Sequence, residues 1–250
     1  MTTIILSGCC GALGTAIINA AKNRPDLSIV AGVDIDETKK LDFPVFSSFS
    51  KLPITADVIV DVSHPSALKG LLEFAIEKNI PCVLAPTGYG EGHHQMIANA
   101  ANHIPIFHTS NLSIGINLLC EISKACAKVL GNNFDIEIVE AHHNKKLDAP
   151  SGTALMLADA LSEGLSYEPQ YVYDRHSVRN RRSKEEIGLH SVRGGTIPGE
   201  HTVIFAGDDE IIKLSHTALS KTVFALGALN AAEFISKQEI GKYSMADMLA

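Results

Sequence analysis

The sequence predicts an α/β protein in two parts, a parallel-sheet domain with crossover helices and a smaller α+β domain with a mixed or antiparallel sheet. Three observations carry this. Short β-branched runs alternate with helix-like stretches through the first half. After "NLSIGINLLCEISKACAKVLG" the texture changes to strands joined by turns, with one helix among them. The chain also has 250 residues, 46% of them hydrophobic and 20% charged, enough to bury two cores.

The elements follow in order. "TIILSG" is a strand, "TAIINAAKN" a helix, and "SIVAGVD" and "ADVIVDVS" are strands rich in Val and Ile. "LKGLLEFAIEKN" spaces its apolar residues for a helix, "PCVLAPTG" returns to strand, "HHQMIANAANH" is helical and "IPIFHTS" is a strand. Beyond the long helix, "DIEIVEAHH", "LHSVRGG", "HTVIFAG" and "EIIKLSHTAL" read as strands, interrupted by a helix at "TALMLADALSEG". The end, "TVFALGALNAAEFIS" then "YSMADMLA", is helical again and suited to pack back on the first domain. Neither an internal repeat nor a low-complexity linker is present. "RNRRSKEE" (179–186) reads as a solvated loop in preference to an anion site.

Composition excludes several classes. A formal net charge of -7 argues against a surface built to hold phosphate backbones, so no nucleic-acid partner is expected. No uncharged apolar run approaches the ~18 residues of a bilayer span, and "MTTIILSGCCG" lacks the form of a secretory signal. The expectation is a cytoplasmic protein with no membrane association. The five cysteines, Cys9, Cys10, Cys82, Cys120 and Cys126, are odd in number and include no C-x-x-C. They are expected to be reduced and structural, and no metal site is expected.

Two motifs carry chemistry. In "SGCCGALG", Gly8, Gly11 and Gly14 follow the first strand and open the first helix, where free backbone N–H groups favour phosphate. The spacing replaces the middle glycine of G-x-G-x-x-G with Cys10, and a packing turn would explain the glycines alone. Asp34, 20 residues beyond Gly14 at the end of the second strand, adds an acid placed for ribose hydroxyls. Together they point to a nicotinamide nucleotide and a Rossmann-type domain.

The second motif is "EAHHNKKLDAPSGTA", Glu140 to Ala154. A strand runs into His142 and His143, and Ser151 or Asp148 caps the following helix. The N–H groups of Ser151, Gly152 and Thr153 would then face an anion, Lys145 or Lys146 would add a full charge, and His142 or His143 would exchange a proton near neutral pH. Adjacent strand histidines point to opposite faces, which argues against a shared metal.

This stretch resembles the signature E-x-H-H-x-x-K-x-D-A-P-S-G-T-A of the 4-hydroxy-tetrahydrodipicolinate reductase (dihydrodipicolinate reductase) family of diaminopimelate and lysine biosynthesis. "GCCGALG", "DVSHP", "PTGY", "SNLSIGINLL", "VRGGTIPGEHTVIF" and "YSMADML" resemble further family segments in family order. The resemblance implies a nucleotide domain, residues 1–113 and 222–250, that closes on a substrate-binding and tetramerisation domain, residues 114–221, in a homotetramer. It implies nucleotide contacts at Gly8, Cys9, Cys10, Gly11, Ala12, Leu13, Asp34, Ala85, Pro86, Thr87, Thr109, Ser110, Asn111 and Leu112. Substrate carboxylates would meet His143, Lys146, Ser151, Gly152 and Thr153. His142 and Lys146 would fill the catalytic proton-donor and charge-stabilising roles, with hydride passing from NADH or NADPH to a cyclic imine dicarboxylate.

Ala12, Pro86 and Lys221 depart from the family pattern. They replace an arginine of the glycine turn, a threonine of "GTTG" and an arginine before the last long helix. Asp34 with Asp36 and Glu37 makes an acidic edge, and no arginine stands beside it, so NADH is the preferred cofactor expected; Lys39 and Lys40 are the nearest cations to a 2'-phosphate.

Overall fold

In the computed structural model, which describes residues 1–249, seven strands pair into one wholly parallel sheet. They are β1 (Thr2–Ser7), β2 (Leu27–Val33), β3 (Val45–Phe46), β4 (Val58–Asp61), β5 (Cys82–Leu84), β6 (Pro105–His108) and, near the end of the chain, β12 (Gly241–Tyr243). The order is β12-β6-β5-β4-β1-β2-β3. Alternation in these strands divides the core in two. Ile5, Ile59, Leu84 and Ile106 face helices α2 (Leu68–Lys78) and α3 (Glu91–Ala100). Ile4, Leu6, Val58, Val60, Val83 and Phe107 face α1 (Ala12–Ala21) and α6 (Thr222–Ile235). A parallel sheet covered on both faces explains why its strands read as continuous apolar runs.

The second sheet is mixed, in the order β11-β10-β7-β9-β8. Its strands are β7 (Asp135–His142), β8 (Gln170–Val172), β9 (Glu186–Arg193), β10 (Glu200–Ala206) and β11 (Ile211–Thr217). β7, β9 and β8 run parallel, while β10 and β11 are antiparallel to their neighbours. Helices α4 (Ile114–Leu130) and α5 (Gly152–Gly164) cover one face, burying Leu119, Leu157 and Leu161 against Ile136, Ile138, Leu189 and Phe205. A short α7 (Met245–Leu249) follows β12. The two sheets lie in separate compact units, Met1–Ser113 with Lys221 onward, and Ile114–Ser220.

The α/β plus mixed α+β expectation holds. β3, β8 and β12 were not anticipated, since two or three residues carry no readable alternation. The 179–186 segment is less solvated than expected. Arg182 turns inward to donate to Asp135, Glu137 and the carbonyls of Ile136 and Glu186, whereas Arg179 and Arg181 are exposed. All five cysteines are free, and no helix among the described residues is long and apolar enough to cross a membrane.

Candidate active site

On the helix-covered face of the mixed sheet, side chains form rows across β9, β7, β10 and β11. Two rows are apolar, Ile187–Ile136–Phe205–Ile212 and Leu189–Ile138–Val203–Leu214. The next is Ser191–Glu140–His201–His216, and beyond it Arg193 lies beside His142. The same strand alternation that builds the core therefore continues into a patch of ionisable groups.

Glu140, only 1% exposed, is the centre of that patch. Arg193 grips it with both terminal nitrogens, at 2.8 and 2.7 Å, and His142 Nδ1 lies 2.5 Å from Oε2. Burial raises the Glu140 carboxyl, but hydrogen bonds from Arg193, Ser191 and His142 outweigh it and hold the group down at about 2. His142 is lowered from its ordinary value, first by burial and then by the charges of Lys146 and Arg193, against the upward pull of Glu140. Since an ionised carboxylate only accepts, Nδ1 carries a proton and Nε2 is the exchangeable position. Nε2 faces Gly199, where an added Cβ would stand 3.2 Å away.

Ser151 caps α5, its Oγ accepting from the Ala154 N–H at 3.1 Å, so the cap is Ser151 and not Asp148. The Ser151 N–H, expected to face an anion, is instead bonded to Glu140 at 3.2 Å, because Glu140 on β7 reaches the start of the helix. Its hydroxyl also meets His201 Nε2 at 3.1 Å. Burial pushes His201 down to about 3, and its ring stands edge-on to His142 at 5.1 Å between centroids.

Of the other motif residues, Lys146 is 21% exposed in its side chain and pairs with Asp148 at 2.8 Å, while Lys145 points to solvent. His143 has an enclosed Nδ1 with no hydrogen-bond partner among the described residues. Gly152 opens α5 exposed, with open space where a side chain would be, and Thr153 follows half-buried. Sequence reasoning missed Arg193, His201, Gly199 and the role of Glu140, although "VRGG" and "GEH" contain the first three.

The glycine motif lies in the other unit, at the carboxyl end of the parallel sheet. Gly8 has φ +80, and a Cβ there would strike the Ser63 backbone at 2.9 Å. Gly14 packs against the Gly8–Cys9 turn, where a Cβ would overlap it. Gly11 caps α1 without a side-chain bond, and the first turn, Ala12 and Leu13 included, holds no acid, so the N–H donors suit a phosphate. Asp34 accepts from the N–H groups of Cys10 at 2.8 Å and Asp36 at 3.1 Å, which leaves lone pairs for ribose hydroxyls. Lys39 folds over the turn, 2.8 Å from Thr15 Oγ1 and 3.3 Å from the Cys10 carbonyl.

Ala85, Pro86 and Thr87 leave β5 at this same sheet edge, and Thr109 to Leu112 leave β6. Thr109 Oγ1 bonds both the N–H and the carbonyl of Asn111, whose side chain bonds the Ser113 N–H; Ser110 lies exposed between them. Cys9 and Leu112 are buried in the core, so they shape the turn from behind. Burial pushes the Cys9 thiol up to about 12, which keeps it protonated. The backbone donors at the start of α1 and the Asp34 carboxylate fit a dinucleotide.

Family models described as dihydrodipicolinate reductase, N-terminus and C-terminus, match residues 2–112 and 115–249. The chain belongs to the dihydrodipicolinate reductase family. A 4-hydroxy-tetrahydrodipicolinate reductase from Clostridium tetani is 46% identical over 249 residues, covering 100% of this chain and 97% of its own. One from Caldanaerobacter subterraneus is 47% identical over 249 residues, covering 100% and 98%. A dipicolinate-bound dihydrodipicolinate reductase from Paenisporosarcina shares the fold at TM-score 0.82 and 22% identity, with 100% of both chains covered. An amine dehydrogenase from Mycobacterium smegmatis shares it more distantly, at TM-score 0.65 and 10% identity over 98% of this chain and 95% of its own. As a dihydrodipicolinate reductase family member, the chain is an NAD(P)H-dependent oxidoreductase.

Proposed function

We propose that the protein reduces 4-hydroxy-tetrahydrodipicolinate to tetrahydrodipicolinate, the reaction named for its curated relatives, in diaminopimelate and lysine biosynthesis. The observation that carries this reading is the ionisable end of the mixed-sheet face. His142, Lys146, Ser151 and His201 gather there beside the open start of α5 at Gly152.

Gly8 to Leu13, Asp34, Ala85 to Thr87 and Thr109 to Leu112 would hold the nucleotide, with Cys9 and Leu112 acting from within the core. The 4-hydroxyl leaves with a ring proton as water, and the reduced nicotinamide would supply the hydride to the unsaturated ring that results. Lys146 is the half-buried cation of the loop, Lys145 being exposed, and a substrate carboxylate competes with Asp148 for it. That cation, the Gly152 N–H and the half-buried His143 and Thr153 meet the two carboxylates. Ser151 contributes its hydroxyl, because Glu140 takes its N–H. As negative charge grows on the substrate ring, Lys146 stabilises it more than it does the ground state. His142 delivers the proton from Nε2, the ring nitrogen on the Gly199 side. The dianion itself loads that proton, since burial and neighbouring cations depress His142 in the free protein and two carboxylates oppose both cations.

NADH is the preferred reductant, because Asp34 would accept from the ribose hydroxyls and Asp36 adds negative charge beside it. Lys39, folded over the glycine turn, lets NADPH be used as well. The open face of the mixed sheet presents Val139, Ala141, Val192 and Ile204 among Glu137, His190, Glu200 and Thr202, a mixed apolar and charged surface suited to subunit association in a cytoplasmic homotetramer. The test is steady-state assay on enzymatically generated substrate with NADH and NADPH in parallel; a protein that oxidises neither would end the reading.

A further inference from the structure

The side chains around Glu140 do more than satisfy a buried charge. Arg193 is on β9, in register with His142 on β7, and its fork meets both Glu140 oxygens. The same arginine is anchored through the carbonyls of Val192 at 2.7 Å and Asp148 at 2.8 Å, so it cannot swing away without losing two further bonds. Glu140 also receives the Ser151 N–H, which ties it to the start of α5. Its remaining contacts are the Ser191 side chain and His142 Nδ1.

We propose that Arg193 and Glu140 are a positioning pair for His142: the arginine cancels the carboxylate's charge and fixes its plane, and the carboxylate holds the imidazole with Nδ1–H inward and Nε2 outward. This rests on the reading of His142 as the proton donor. The charge balance is what makes the arrangement useful. A lone buried carboxylate would hold His142 as a permanent imidazolium, whereas one already matched by a guanidinium leaves Nε2 able to gain and lose its proton. The other groups facing His142 are Lys146 and Asp148 from the loop after β7 and His201 from β10, with His216 behind His201 on β11. Lys146 is the cation among them, and neither histidine matches the carboxylate's charge.

The experiment is histidine-selective ¹⁵N NMR of the full-length protein without ligand, alongside the pH profile of kcat. In the wild type the neutral His142 ring should show a protonated Nδ1 and a bare Nε2. Arg193→Met leaves Glu140 unmatched and should raise the His142 titration by about one pH unit or more, and Glu140→Gln leaves Arg193 unmatched and should lower it. Arg193→Lys keeps the charge but loses the fork, so the titration should stay near the wild-type value while kcat falls. A purely structural role would lower activity in all three without opposite shifts. Circular dichroism checks folding, and if Arg193→Met or Glu140→Gln fails to fold, the wild-type tautomer and Arg193→Lys still decide the matter. Shifts in the same direction, an unchanged titration, or a wild-type ring protonated on Nε2 would overturn the proposal. Opposite shifts at His142 with a kcat profile that ignores them would leave the positioning pair standing and remove His142 as the donor.

Discussion

Binding of a planar dicarboxylate should draw a proton onto the protein, and the structure sets how much and at what pH. The perturbation is addition of 2,6-pyridinedicarboxylate, a dianion shaped like the proposed substrate. In the free protein His142 titrates below its ordinary value, so near neutral pH its Nε2 is bare. A negative group within about 4–6 Å raises a histidine by ~1–3 pH units, enough for two carboxylates to carry His142 above neutrality. His201, at about 3, lies too low to take part. Asp148 loses Lys146 as a partner, but its carboxyl sits below its ordinary value and returns only to the acid range. Uptake should therefore approach one proton near pH 7, taken up from solvent by His142 Nε2. It should vanish well below the free titration point, where the ring is already charged, and well above the bound one, where it stays neutral. Calorimetry in buffers of different ionisation enthalpy measures the number directly, as the slope of apparent binding enthalpy. A zero slope at neutral pH, or an undiminished slope in His142→Asn, would refute the reasoning.

Further outcomes follow from particular contacts. Asp34→Ala should lower the NADH to NADPH ratio of kcat/KM at low salt, and Lys39→Ala should weaken NADPH binding more than NADH binding in fluorescence titrations. Gly199→Ala places a methyl 3.2 Å from His142 Nε2, and kcat should fall ~10-fold or more as the donor is displaced. Glu140 is held at about 2, below its ordinary 4.5, so it adds stability above that ordinary value that is lost as pH falls toward 2. Denaturant titrations of Glu140→Gln should accordingly show a shallower loss of stability across that window than wild type. Leu157→Ala, fully buried between α5 and the mixed sheet, should cost about 2–5 kcal/mol in chemical denaturation.

Much of this protein is legible locally. The alternation of β-branched runs and helical stretches reveals the parallel sheet because each signal is contained within one element. The glycine turn with Asp34, and the run from Glu140 to Ala154, are likewise short enough to be seen whole. What escapes is what strand pairing brings together. Arg193 and His201 reach Glu140 only through the β7–β9 and β7–β10 registers, and pairing of distant strands leaves no mark in either segment. The same cause hid the diversion of the Ser151 N–H to Glu140, which depends on where β7 ends relative to α5. Lys39 was visible as a nearby cation, but its place over the glycine turn depends on how the loop after β2 folds back.

The most direct test is a paired measurement on His142→Ala and Lys146→Ala, taking kcat for reduction of the cyclic dicarboxylate and the dissociation constant for NADH. The two residues belong to the mixed-sheet unit and the glycine turn proposed to hold the nucleotide to the parallel-sheet unit. Each variant should therefore lose ~10²-fold or more in kcat while binding NADH as the wild type does. Near-wild-type turnover in both, or an equal loss of NADH binding, would contradict the account.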